Sequence, residues 1–472
     1  MSSYHRLHPL MIVQQSVIIA QKLGTIYFFV LILLLRHKYF YAILLLCGVT
    51  LWCLGKALYQ WLFFKYRFEE DQLVIKQGLF IKKQLIVPYN RIQSIQCQAW
   101  FWFKPFGIIS LIVETAGTTA KNVKLLAVKR TVYDQLARLR QGKNSQVHST
   151  DQQSFRPQFE VATRDIWRFS LTDQSAFVML IALIAFFDSL KGWLPKNLLT
   201  SRLETLILSG FVSLLFGGLC LVGVVILAAL FKNYICYYHF KVWRQNDDLL
   251  VERGLFTRNT LTIPLRRIQA IQIKQNFFRA WLKLASVELI LAAGESNAND
   301  DTVNDDTFYL LPITDQPQIL AILQKLLPEW HLTEPKLAKL NQGPCWLFLR
   351  FPLLFSAVLL VAGFWMNLYL GLATVALSLL LLWRAWWSSN HQAAGMIGEQ
   401  LLYLKKVNGF SLKTLITPQN KVQCQRVRTT WWLMTQQLGH VGWQIKKGMG
   451  MDEIQLKYLS LENCRSLRNY LQ

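Results

Sequence analysis

Acidic residues are scarce in this chain. Asp and Glu number 27 against 51 Lys and Arg, a formal charge of +24 over 472 residues. Such an excess calls for an anionic partner, and nucleic acid and the anionic membrane leaflet are two common ones. No nucleic-acid-binding motif accompanies the charge, so nucleic acid is set aside as a partner. Metal-ligand spacing is missing as well. Cys47, Cys53, Cys97, Cys220, Cys236, Cys345, Cys424 and Cys464 include no Cys-x-x-Cys pair, and no His-x-x-x-His pair stands near them. This argues against a zinc site and against a disulfide framework. The eight histidines are dispersed, and there is no Gly-rich phosphate loop and no Gly-x-Ser-x-Gly elbow. Catalysis needs a convergent set of acids, bases, nucleophiles or ligands. The expectation is a protein that is not an enzyme, with no cofactor and no metal.

Apolar residues, by contrast, are abundant. They make up 53% of the chain, and the mean hydropathy is +0.26. Long apolar runs with few charges over residues 17–35, 39–63, 173–190, 203–231, 346–366 and 369–387 are about long enough to cross a bilayer as helices. The first run is too long for the apolar region of a secretory signal and ends in Arg36-His37-Lys38, so it is kept as a membrane helix. Short turns join the runs in pairs, which predicts six transmembrane helices arranged as three hairpins.

Between the hairpins the period changes. Residues 78–96 read GLFIKKQLIVPYNRIQSIQ and residues 254–272 read GLFTRNTLTIPLRRIQAIQ. A fainter third copy, GFSLKTLITPQNKVQCQ, covers 409–425, with Lys421-Val422-Gln423 in place of Arg-Ile-Gln. An internal repeat is read before any fold, because it sets the whole architecture. Gly78, Pro88 and Gln93 in the first copy, and Gly254, Pro264 and Gln269 in the second, are assigned structural roles. Around each copy, short Val-, Ile- and Leu-rich segments alternate with polar residues and end in turns, which predicts an antiparallel β domain. A segment with apolar residues at helical spacing, 129–140 in the first copy, follows the strands.

The expected organisation is hairpin 1 at 1–63, β domain 1 at 64–141 and a linker at 142–172. Hairpin 2 follows at 173–236, β domain 2 at 237–330 and a second linker at 331–344. Hairpin 3 at 345–390 and a degenerate β domain 3 at 391–472 complete the chain. An acidic insert at 295–306 is expected to be a solvated loop, because its spacing does not match a calcium-binding loop. Each hairpin crosses the membrane twice, so the N-terminus and all three β domains share one side. Their basic residues place that side in the cytoplasm.

A β unit with Gly-Leu-Phe, a Pro, Arg-Ile-Gln and a later Ala-Gly, set behind a two-helix hairpin, resembles the bacterial pleckstrin-homology-like membrane proteins of the YdbS/YdbT type, and most of all their long three-repeat form. The resemblance rests on Gly78, Pro88, Arg91, Ile92, Gln93 and Ala116-Gly117, and on Gly254, Pro264, Arg267, Ile268, Gln269 and Ala293-Gly294. It implies a bent antiparallel sheet closed by a C-terminal helix, a place in the bacterial inner membrane, and no known catalytic activity. It also implies a link to envelope stress or peptide-toxin resistance, and a smaller single-domain relative as a partner.

The residues favour binding over chemistry. Lys82, Lys83, Arg91 and Lys104 in the first repeat, with Trp100 and Trp102, form a basic and aromatic set. Arg258, Arg266 and Arg267 form a basic set in the second. Cations on a membrane-tethered domain each gain about 1 kcal/mol from anionic lipid. The expected function is a scaffold whose cytoplasmic domains bind anionic lipid headgroups, a partner membrane protein, or both. Two readings stay open beside it. Arg91 and Arg267 can instead cap strand ends or pair with Glu114 and Glu288, and the helices can instead form a passage for a transported lipid or peptide.

Overall fold

Every repeat of the sequence becomes the same set of seven strands. In the first these are β1 (His5–Arg6), β2 (Lys65–Phe68), β3 (Gln72–Gln77), β4 (Lys83–Pro88), β5 (Ile92–Trp100), β6 (Ile108–Thr115) and β7 (Val123–Lys129). The second has β8 (Phe159–Glu160), β9 (Lys241–Gln245), β10 (Asp248–Arg253), β11 (Thr257–Pro264), β12 (Ile268–Asn276), β13 (Leu284–Leu291) and β14 (Thr307–Asp315). The third has β15 (Lys336–Ala338), β16 (Ala393–Ile397), β17 (Leu401–Asn408), β18 (Ser411–Pro418), β19 (Val422–Arg428), β20 (Leu438–Lys447) and β21 (Gly450–Ser460). The computed structural model describes residues 4–35, 37–79, 81–115, 123–141, 157–172, 211–292, 307–333, 336–338, 345–398, 400–448 and 450–464. The predicted span at 173–190, the acidic insert at 295–306 and both Ala-Gly pairs lie outside the described residues.

The repeated motif builds a corner. Pro88, Pro264 and Pro418 each end a strand, where a missing N–H is tolerated. A single 3-10 turn follows in each copy, Tyr89–Arg91, Leu265–Arg267 and Gln419–Lys421, and the next strand then starts in a different sheet. Gly78 and Gly254 precede the corner at φ +94° and +109°. A Cβ on either would strike the carbonyl oxygen of Ile81 or Thr257, so glycine is required there. The third copy uses a shorter turn, in which Asn408 faces Ser411 across the hairpin.

The sheets do not stay within the repeats. The first sheet holds β1-β2-β3-β4 alone. The last three strands of repeat 1 continue into repeat 2 in the order β7-β6-β5-β11-β10. The last three of repeat 2 continue into repeat 3 in the order β14-β13-β12-β18-β17-β16-β15. A three-stranded sheet, β19-β20-β21, ends the series. Two compact units result, Met1–Lys241 with Leu250–Ile263, and Val242–Leu249 with Pro264–Gln472. The division falls inside the second repeat, so β5 and β11 belong to one unit and β12 and β18 to the other.

Unit 1 has its core where Leu73, Val87, Ile92, Leu111, Leu125 and Leu136 meet, all buried. Its N-terminal segment joins that core. Gln14 accepts a hydrogen bond from Ser110 Oγ at 2.9 Å, and Trp61 Nε1 donates to the Leu7 carbonyl at 2.9 Å. The expected span at 17–35 is found as two helices, Met11–Lys22 and Gly24–Leu35, which meet at Leu23. The first of them carries Gln14, Gln15, Gln21 and Lys22 and packs on the β core, while the second has no charged residue. Helix Tyr39–Phe63 runs beside them. In unit 2, Trp443 is fully buried among Ala394, Leu402, Leu415, Val441 and Leu456.

Among the described residues three helices are long and apolar enough to cross a membrane: Tyr39–Phe63, Trp346–Met366 and Leu370–Asn390. The last two form the expected third hairpin, packed closely enough that a Cβ on Gly363 would overlap Thr374. Helix Phe211–Tyr237 covers the second half of the expected second hairpin.

Candidate functional site

The basic residues singled out in the first two repeats have different surroundings. Lys82, Lys83, Arg91, Lys104 and Arg266 are exposed. Arg258 is exposed too, but its Nε meets Glu252 at 2.8 Å. Arg267 turns inward, 7% exposed, and its Nε donates to the Ala292 carbonyl at 3.3 Å across the end of β13. Neither glutamate offered as a partner takes these arginines. Glu114 accepts from Ser94 Oγ and from Gln96 Nε2, and buried Glu288 accepts from Gln272 Nε2 at 2.9 Å and lies 3.7 Å from Lys274 Nζ. Gln269 is buried beside Arg267, and the Gln93 side chain lies outside the described residues.

The aromatic runs share one role in the fold. Phe101–Phe106, Phe277–Trp281 and Trp431–Thr435 are equivalent short helical turns after β5, β12 and β19. Each leaves large rings in the open: Trp102 at 74%, Trp281 at 77% and Trp431 at 82% exposed. Trp100 is half-buried and stacks on Phe103 at 6.1 Å. In unit 2, Phe277 meets Trp383 edge-on at 4.9 Å, and Trp383 stacks on Trp387 at 5.5 Å. Exposed Trp beside the base of an apolar helix suits the headgroup layer.

The third repeat holds an arrangement of another kind. A cleft of about 640 Å³ opens between the base of the third hairpin and the sheet below it. Ligand sites are typically of roughly 300–1,000 Å³. The upper wall is apolar: Phe348, Phe351, Pro352 and Phe355 from helix Trp346–Met366, with Leu381 and Ala385 from helix Leu368–Asn390. The lower wall is polar: Lys406, Val407 and Asn408 of β17, with Glu453, Gln455 and Lys457 of β21. Arg384 stands at the rim, where its Nε donates to the Gly409 carbonyl at 3.0 Å and ties the helix base to the β17–β18 turn. Gln392 fixes the other side by accepting from the Lys457 backbone N–H at 2.9 Å. Beside the cleft, the Arg350 guanidinium lies 4.1 Å from the Trp432 ring, a cation–π contact.

Electrostatics distinguish this cleft. Burial holds Lys406 below the ordinary lysine range, and Lys413 and Lys457 push the same way, against Asp452 and Glu453. Burial also lowers Lys405 and Lys413, the latter with Lys274 opposite it across β12·β18. A half-buried ammonium short of solvent gains more from an anion than an exposed one does. The only acid on the cleft wall among the described residues is Glu453, whose Oε1 reaches Arg428 at 4.0 Å. The arrangement has the polarity of an amphipathic anion turned inside out: cations Lys406, Lys457 and Arg384 on one side and the phenylalanines on the other.

The residues foreseen from the first two repeats are thus spread over two units. The cleft lies in the copy whose motif is weakest. Its one legible signal was the run of half-buried lysines in β17 and β18 beside the Trp-rich end of the third hairpin.

A family model described as the bacterial PH domain matches residues 18–143 and 200–328, more than half of the chain. The chain is also 25% identical over 357 residues to the UPF0699 transmembrane protein YdbT of Bacillus subtilis (strain 168), covering 71% of each sequence. No solved structure matches. With its seven-stranded antiparallel repeats set on apolar helices, the chain belongs to the bacterial PH domain family as a membrane protein of the YdbT type.

Proposed function

We propose that the chain is a non-enzymatic membrane scaffold, with its β domains on the cytoplasmic side, that holds an anionic lipid by its headgroup. The cleft under the third hairpin carries this reading. It pairs an apolar wall continuous with a membrane helix with a floor that carries half-buried Lys406 and exposed Lys457, which is the polarity of a lipid at the bilayer edge. The exposed cations Lys82, Lys83, Arg91, Lys104, Arg258 and Arg266, with Trp102 and Trp281, support it as a general attraction to an anionic surface. Trp100 and inward Arg267 serve it as supports of the fold.

The test is lipid retention by the full-length protein. Purified in mild detergent from membranes containing phosphatidylglycerol and phosphatidylethanolamine, the wild type is expected to carry anionic lipid into the mass spectrometer. Lys406→Gln with Lys457→Gln is expected to lose it while keeping the wild-type unfolding midpoint. Equal retention by both proteins would sink the reading.

A further inference from the structure

The junctions between repeats leave one strand of each kind without its counterpart among the described residues. Repeats 1 and 2 are joined by β5 pairing with β11, and repeats 2 and 3 by β12 pairing with β18. The two junctions are one interface used twice. Gln96 faces Leu261 in the first and Gln272 faces Leu415 in the second, and both leucines stand three residues before the motif proline. Trp100 faces Thr257 as Asn276 faces Ser411, again at matching places in the repeat. In this scheme β4 of the first repeat and β19 of the third are the strands that remain. Each is the last strand of its sheet among the described residues. Their exposure follows: β12 is buried almost throughout, whereas its counterpart β19 is open along most of its length. β18 is buried, whereas its counterpart β4 shows Lys83, Gln84 and Ile86 to solvent.

We infer that β19 of one copy pairs with β4 of a second copy, in the register of the two internal junctions. This goes beyond lipid holding and does not depend on it. Aligned on the motif proline, Leu85 takes the place of Leu261 and Leu415, and Arg426 that of Gln96 and Gln272. Arg426 then faces Leu85, and Arg428 faces Lys83. An open edge offers a row of unpaired N–H and C=O groups, and backbone pairing tolerates many side chains. The chain supplies one strand of each kind, so neighbouring copies complete both edges with contacts that its own fold already makes twice. The like charges of Arg428 and Lys83 repeat the internal pair Lys274 and Lys413, which has Glu288 nearby. Arg428 brings Glu453 in the same way. The contact joins unlike edges, so it is head-to-tail and builds a ring or an open row. Copies inserted the same way up in one membrane are related by an axis along the membrane normal, the symmetry that a closed ring requires. The rival reading is that the edge cations blunt both edges against any pairing.

The test uses full-length chains with two different tags, expressed together, with Cys424→Ser in both. One carries Lys83→Cys and the other Arg428→Cys. Oxidation in the membrane is expected to give the mixed-tag dimer at severalfold the yield of a control pair, Lys83→Cys with Val422→Cys, whose positions lie far apart in this register. The unmutated protein, taken into lipid nanodiscs directly from its membrane, is expected to contain more than one copy. Equal yields from the two pairs, no dimer from proteins with wild-type unfolding midpoints, or a single copy with a different protein on the edge would each overturn the inference.

Discussion

Four strands of nearly the same sequence type meet two fates. β12 and β18 pair with each other and sink into the core, whereas their counterparts β19 and β4 keep one side open. Leu415 is 1% exposed and packs with Trp443. Leu85 holds the equivalent place three residues before its proline and is only half-buried. Local sequence does not explain this difference, because KTLITP and KQLIVP alternate alike. What differs is whether a neighbouring repeat lies alongside, and burial follows from that.

The largest effect that would break this comparison is a cavity at the joined edge. Leu415→Ala is expected to cost about 2–5 kcal/mol, as for other fully buried leucines. Leu85→Ala is expected to cost on the order of 1 kcal/mol, since less apolar surface is lost. Denaturant titration of the detergent-solubilised protein, followed by Trp fluorescence, measures both, and equal costs would erase the distinction. Next come the turns that lead into the corners. Gly254→Ala is expected to cost about 1–3 kcal/mol because a Cβ strikes the Thr257 carbonyl at positive φ. Gly409→Ala at φ +64° meets nothing within 4 Å and is expected to cost about 1 kcal/mol. Unfolding midpoints of the two variants should separate clearly.

A gain is expected from removing a half-buried like-charge pair. Lys413→Met takes one cation away from the Lys274–Lys413 facing pair and should stabilise by about 0.2–1 kcal/mol. Lys83→Met, at the open counterpart, should change the midpoint little in dispersed single copies. The smallest effect concerns pH. Positions 110, 286 and 440 correspond in the three repeats and hold Ser110, Ser286 and His440. Burial, then Lys457 and Arg350, push the His440 pKa down. Between that lowered value and the ordinary value near 6.5, the unfolded chain binds more protons, so stability rises with pH through this window. Acidification below about pH 6.5 is expected to lower the unfolding midpoint, and His440→Gln should flatten that slope. An unchanged slope would mean that His440 is solvated.

Much of the architecture was legible from the residues. The repeat, the period-two segments and the glycine and proline turns located three β units. The long apolar runs located helices Tyr39–Phe63, Trp346–Met366 and Leu370–Asn390. The short strands β1, β8 and β15 were not legible, because two or three residues carry no period. The break at Leu23 was hidden for a related reason. The run at 17–35 is apolar on both sides of Gln21-Lys22 and Gly24 and reads as one span, and packing of Met11 and Gln14 on the β core sets the first helix apart. As for the site, single basic residues were visible, but the cleft was not. Its walls come from residues far apart in sequence, such as Phe351 and Lys457.

By itself the sequence determined which segments are strands, corners and apolar helices, because those depend on neighbours within a few residues: alternation, a Pro that lacks an N–H, a Gly at positive φ. Only the tertiary structure decided which strand lies beside which. Every edge strand presents the same backbone donors and acceptors, so nothing in β5 alone names β11 as its neighbour. That choice is made by chain connectivity and by the core that each pairing buries, and it carries the joined sheets, the open edges and the cleft with it.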